Sequence, residues 1–313
     1  MTDAYITLPF NMEKLSTEQR VVVSSQPPAV RQHMIETLLY PSPLFKKGNA
    51  FIGKFHHPVT GGRHGTGKIG GLLGPSRVGK SAICKFYRSH HPARIEEDGE
   101  AYPVVYFQAS DDMTPRTMAE RICEATGARS LAQMKTPALI DTCINRLVRA
   151  KTELLIIDDA QFMFMGRRVD QVRNFKSFIK LASDRNAFNT LLVGEPIIKD
   201  VVTAVDYLVG RGGFPNEALV PLGDTTDEFE QFTLMLEGID NRLPFLMKSN
   251  LSDAKIAADI HRFSGGLIGR VMNLVQASAF EAINAGTSKI MIEHLRSAAT
   301  MLVAANDSHS YFR

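Results

Sequence analysis

The chain has 313 residues, 44% hydrophobic and 22% charged. This is a globular composition that excludes disorder, and its length suits two compact domains or one large α/β domain with a helical subdomain attached. The net charge is only +3, but it is unevenly spread: from Thr37 to Ile95 there is no Asp or Glu, against ten Lys or Arg and five His. The rest of the chain carries 26 basic and 33 acidic residues. Such a block implies a polyanion nearby, either nucleotide phosphate, nucleic acid or both. Apolar runs such as 154–157 are too short to cross a bilayer, and the first fifteen residues, MTDAYITLPFNMEKL, lack the basic and apolar regions of a signal peptide. A cytoplasmic protein without a membrane partner is expected. Cys84, Cys123 and Cys143 show no paired spacing and read as reduced, buried thiols. The adjacent pairs His56-His57 and His90-His91 lack zinc spacing and read as solvated loop histidines.

In chain order, residues 1–28 are mixed and end in Gln26-Pro27-Pro28, which punctuates. Residues 29–40 form a short amphipathic helix, stopped by Pro41-Ser42-Pro43. The Gly-, His- and Lys-rich stretch 45–71 reads as a loop or a hairpin. Short apolar strands follow at 71–73, 103–107, 154–157, 190–193 and 218–222. They alternate with helices at 80–90, 115–126, 137–151, 169–186 and 196–209, and the second and third of these open on proline near the first turn. This alternation predicts a parallel sheet covered on both faces. Beyond Asp224 only helical patterns remain, at 227–237, 252–263 (Ser252 as N-cap, Gly265-Gly266 as stop), 267–285 and 290–303. The expected organisation is an N-terminal extension (1–43), an α/β core (44–223) with a basic insertion at 45–68, and a helical subdomain (224–313).

The sharpest motif is Gly74-Pro75-Ser76-Arg77-Val78-Gly79-Lys80-Ser81. It has the phosphate-loop spacing of Gly, four residues, Gly, Lys and Ser or Thr. Backbone N–H groups from Gly74 and Ser76 through Ala82 would curl around phosphate oxygens, helped by the positive end of the following helix. Lys80 would reach the β- and γ-phosphates, and Ser81 would ligate Mg²⁺. The second motif is Leu154-Leu155-Ile156-Ile157-Asp158-Asp159. Its acids end an apolar strand, at the sheet edge where open α/β folds bind ligands. Asp158 would hold Mg²⁺, and Asp159 would polarise an attacking water.

These motifs, with TLLVGEP and FSGGLIGRVMNL, resemble the AAA+ ATPases, and more narrowly the TniB/TnsC group of transposition regulators, relatives of MuB. The resemblance covers roughly residues 25–305. It implies a P-loop AAA+ core, a parallel sheet flanked by helices, with a small C-terminal helical lid. It also implies a bacterial cytoplasmic ATPase using ATP and Mg²⁺. Glu195 stands at the sensor 1 position, where relatives carry a neutral polar residue. An anion there would repel γ-phosphate and would instead meet water or a basic neighbour. Arg211 fits the arginine finger that reaches a neighbouring subunit's phosphate, and Arg270 fits sensor 2. On the residues alone, Arg211 is equally a solvated loop arginine and Arg270 a helix-surface one. Many relatives carry Glu where this chain has Asp159, one methylene shorter, which implies slow hydrolysis suited to timing.

The resemblance further implies homo-oligomeric rings or filaments around duplex DNA, a transposase and a targeting protein as partners, and disassembly driven by hydrolysis. Lys54 and Arg63 in the basic block would touch backbone phosphates, or form a solvated basic loop. The resemblance also turns the loops after the second and third core strands, with Arg116, Arg129, Lys135, Arg167 and Arg168, toward the DNA; Arg167-Arg168 is the foremost cluster there, or alternatively an intersubunit or helix-start charge pair. Trp is absent and aromatic residues seldom interleave the basic ones, which favours duplex over single-strand binding. Two other readings share the nucleotide machinery: a replication initiator or helicase loader, and a signalling NTPase without DNA.

Overall fold

The computed structural model describes residues 10–97, 99–128, 134–210, 212–303 and 306–313. The chain forms two compact units. One comprises Leu44–Ser76 and Lys80–Val220; the other comprises Met1–Pro43, Arg77–Gly79 and Pro221–Arg313.

The α/β unit contains, in chain order, α3 (Pro43–His56), β1 (Ile69–Leu73), α4 (Lys80–Ser89), β2 (Arg94–Glu96), β3 (Gly99–Ala101), β4 (Val104–Gln108), α5 (Pro115–Ala125), α6 (Thr136–Arg149), β5 (Leu154–Asp158), α7 (Val169–Asp184), β6 (Asn189–Gly194), α8 (Ile197–Thr203), α9 (Asp206–Val209) and β7 (Asn216–Ala218). The helical unit contains α1 (Thr17–Ser24), α2 (Pro28–Glu36), α10 (Thr226–Asp240), α11 (Ala254–Ser264), α12 (Ile268–Asn284) and α13 (Ile292–Leu302).

Five strands pair in the order β4-β5-β6-β1-β7, all parallel. β1, β5 and β6 are buried along their whole length, which is why they read as continuous apolar runs rather than as alternation. Register brings Leu73 opposite Gly194 and Ile157 opposite Leu192, so these three strands end together at one edge. The core of this unit gathers Ile122, Leu147, Leu155, Phe175, Phe178 and Phe188, all essentially without exposure. The helical unit has its own core around Ile35, Phe232, Leu236, Phe245, Leu274 and Phe312.

Several elements depart from the sequence-based expectation. Residues 45–56 are neither loop nor hairpin: α3 buries Phe45, Ile52 and Phe55 on one face, and its glycines and lysines mask that periodicity. His56 is correspondingly no solvated loop residue. It closes α3 with no exposure, and burial, reinforced by His57, His91 and His64, holds its pKa down to about 3. The helix expected at 29–40 ends at Glu36. The one expected at 196–209 splits at Val205, which is extended (φ −131°), after the β-branched Val201, Val202 and Thr203. The last strand covers Asn216–Ala218 rather than 218–222. α11 is capped by the Asp253 carboxylate, not by Ser252. The antiparallel β2–β3 ribbon was not expected, since three-residue strands leave no pattern. Nor was α1, although Ser16 and Gln19 form a capping box legible as Ser-x-x-Gln.

One side chain ties the basic segment to the sheet. Asn189, fully buried at the start of β6, accepts from Lys68 N–H at 3.0 Å and donates to Phe55 C=O at 2.7 Å. Truncation takes the partner from a buried carbonyl and from a part-buried N–H. Asn189→Ala is therefore expected to destabilise the fold by about 2–4 kcal/mol, read as a lower urea midpoint. An unchanged midpoint would contradict this pinning role.

Candidate nucleotide site

β1 delivers Gly74 to the sheet edge, where its N–H donates to Gly194 C=O at 2.9 Å. The loop then turns through left-handed residues at Arg77 (φ 68°) and Gly79 (φ 104°). Such alternation aims successive N–H groups at an anion, and α4 begins at Lys80, so its positive end adds to the cradle. Lys80 is only 6% exposed, and its Nζ donates to the carbonyls of Gly74 (2.8 Å) and Pro75 (2.7 Å). Burial lowers its pKa, while the carboxylates of Asp158, Asp159 and Glu195 oppose that shift and favour the charged ammonium.

Asp158, at the end of β5, is fully buried. Burial raises its carboxyl pKa, against hydrogen bonds from the Ser81 and Tyr106 hydroxyls. Tyr106 Oη donates to Oδ2 at 2.8 Å, and the Asp159 N–H donates to Oδ1 at 3.0 Å. A carboxylate and a hydroxyl at one point are hard oxygen donors, which suit Mg²⁺, and the P-loop beside them suits a polyphosphate. Asp159 itself is left-handed (φ 51°), an uncommon conformation for a residue with a side chain, and of a kind found at functional sites. Gln108 Nε2 donates to its Oδ2 at 2.7 Å and Gln161 Nε2 to its Oδ1 at 3.3 Å. Gln161 also accepts from the Glu195 N–H at 3.3 Å, so one carboxamide bridges the ends of β5 and β6. Its oxygen lies where a side chain at Gly194 would have to sit, which is why glycine ends β6.

The structure thus brings together Gly74, Lys80, Ser81, Asp158, Asp159 and Glu195. Ser76 and Arg77 are exposed in the loop, Val78 is buried and Ala82 half-buried in the first turn of α4. Tyr106, Gln108 and Gln161 were not singled out from sequence. The only signal was their position in β4 or in the turn just after β5. Arg211 lies outside the described residues, as does Arg129. Arg270 is exposed near the start of α12, next to Gly269, whose N–H donates to Arg77 C=O at 2.8 Å. A Cβ at position 269 would stand 2.8 Å from that oxygen, so glycine permits the approach.

The basic residues divide. Arg167 Nε and Nη2 donate to the carbonyls of Phe162 (2.8 Å) and Ser110 (2.9 Å), bracing the loops after β4 and β5. Arg116 is paired with Glu120 at 2.9 Å and donates to Met134 C=O at 2.6 Å. Lys54, Arg63, Lys135 and Arg168 are exposed. Among the described residues, no helix is long and apolar enough to cross a membrane, and the three cysteines are free and buried.

Residues 63–202 match the family model described as an AAA domain. No curated protein matches the sequence. The fold is similar to that of the Aeropyrum pernix Orc1 protein, solved in complex with DNA (TM-score 0.62, 15% identity), over 82% of this chain and 65% of that one. The chain thus spans about two thirds of that protein's length. It is also similar to Aeropyrum pernix ORC2, solved in ADPNP–ADP complexes (TM-score 0.58, 13% identity, 84% of this chain and 69% of that one). A third similar structure is Cdc6p of Pyrobaculum aerophilum (TM-score 0.55, 14% identity, 84% and 67%). For an ATPase with this geometry, Gln161→Ala is expected to slow ATP turnover by about tenfold or more while shifting nucleotide affinity less than about threefold. Equal losses in both would make Gln161 a binding residue. With the matched segment, the strand order and the Lys80–Asp158–Asp159 cluster in agreement, the chain carries an AAA-type P-loop ATPase domain in an AAA+ fold.

Proposed function

We propose that this ATPase is a DNA-binding transposition regulator of the TniB/TnsC type. In its ATP form it assembles as a homo-oligomer on target duplex DNA and recruits or activates a transposase, with a targeting protein as a further partner. Hydrolysis, supported by Mg²⁺ between Ser81 and Asp158, then releases the assembly. The reading rests on one observation: a nucleotide site built around a buried lysine shares its unit with exposed cations that the site does not use. Lys54, Arg63, Lys135 and Arg168 supply phosphate contacts with little sequence preference. In this reading Arg211 completes a neighbour's site, Arg270 is the sensor 2 arginine, and Asp159 positions water. The likeness to an Orc1 protein solved with DNA favours a second reading, an initiator-type loader with the same nucleotide chemistry.

Two measurements test the ATP-dependent DNA binding that both readings share, and a third separates them. Lys80→Ala should abolish ATP-dependent assembly on DNA; oligomers of normal stability from that variant would remove the nucleotide from the assembly step. Lys135→Glu with Arg168→Glu should weaken binding equally across duplex sequences and flatten the log–log salt slope by about 0.9 for each phosphate no longer neutralised. An unchanged slope would exclude these two as phosphate-binding residues. ATP-dependent stimulation of a cognate transposase's strand transfer is expected of the regulator, and its absence alongside origin-selective binding would favour the initiator.

A further inference from the structure

A second cluster lies at the other end of β5 and α4. His56 ends α3, His57 follows it, and His91 follows α4. One ring nitrogen from each lies within 4.8 Å of the others. We propose that these three histidines bind a divalent transition-metal ion of the zinc type, with the Glu153 carboxylate orienting and charge-balancing the site.

Three features carry the proposal. First, His91 Nδ1 lies 2.9 Å from Tyr87 C=O. A carbonyl only accepts, so Nδ1 holds the proton and Nε2 is left with a free lone pair, the arrangement in which protein carbonyls orient metal-binding imidazoles. Second, Glu153 Oε2 stands 3.0 Å from His56 Nε2 and 3.6 Å from His57 Nε2. At these distances the carboxylate accepts the His56 N–H and stands beside His57, as carboxylates behind metal-binding imidazoles do. Third, the cluster is built yet reachable: His56 is fully buried with Tyr87 Oη 2.8 Å from its Nδ1, while the His57 side chain is 38% exposed. Metal binding exchanges one of the two hydrogen bonds of His56 for a coordinate bond. A buried histidine satisfied at both nitrogens accounts for His56 alone, but not for two more imidazoles gathered against it.

The site is separate from the nucleotide. Glu153 precedes β5 and Asp158 ends it, so about 16 Å of strand lies between them. An ion here would link the end of α3, the end of α4 and the start of β5.

The test uses the full chain, stripped of metal by a chelator and then held in excess Mg²⁺. Zn²⁺ titration should give one equivalent, Co²⁺ should show the visible d–d band of a four-coordinate site, and Zn²⁺ should raise the thermal midpoint. His57→Ala and His91→Ala should each weaken Zn²⁺ binding at least about tenfold, and Glu153→Gln by about 10–100-fold. His90→Ala, an exposed neighbour whose Nδ1 lies 2.9 Å from Phe86 C=O, should leave affinity within about twofold. Retained ATP binding in each variant checks the fold. No cobalt band with no rise in midpoint would overturn the proposal. So would equal zinc affinity in the His57, His91 and His90 variants.

Discussion

The chain's chemistry depends on keeping an ammonium charged inside the protein. Lys80 is nearly without exposure, and burial alone favours its neutral form. Three carboxylates, on Asp158, Asp159 and Glu195, counter that tendency. They arrive from the ends of β5 and β6 because the parallel register terminates β5, β6 and β1 at one edge of the sheet. The sheet therefore does more than carry the loop. Its strand order brings the lysine from one crossover and the acids from two others to a single edge, where open α/β sheets bind ligands. The arrangement is preorganised for a polyanion, because positive backbone dipoles and the Lys80 cation gather at this edge.

The site also explains its own polar periphery. Asp159 takes a left-handed backbone and is held by two carboxamides, Gln108 and Gln161. Gln161 reaches on to the backbone of Glu195, so the ends of β5 and β6 are coupled through one side chain. Gly194 leaves the room for this bridge.

Much of this was legible from residue order. Proline-opened helices and four-residue apolar runs mark α5, α6, β5 and β6, since buried parallel strands have no polar face to confuse the pattern. The Gly74–Ser81 spacing and the Asp158-Asp159 pair identify the two halves of the site. What escaped did so for physical reasons. α3 was hidden because its buried face is interrupted by glycines and its outer face carries lysines. The β2–β3 ribbon is too short for periodicity. The roles of Gln108, Gln161 and Tyr106 depend on which strands become neighbours, which local patterns do not specify. Arg167 illustrates the converse: an Arg-Arg pair suggests a polyanion contact, yet this guanidinium is spent on two carbonyls of adjacent loops. The adjacent histidines at 56–57 and 90–91 look equally unremarkable in sequence, because the gathering of His56, His57 and His91 is set by where α3 and α4 end.

The ATPase chemistry requires a triphosphate held at this sheet edge. Isothermal titration of the full chain with ATP and Mg²⁺ tests that most directly. One site per chain, with affinity falling from ATP to AMP as phosphates are removed, is the predicted result. No heat with ATP, or equal affinity for ATP and AMP, would contradict it.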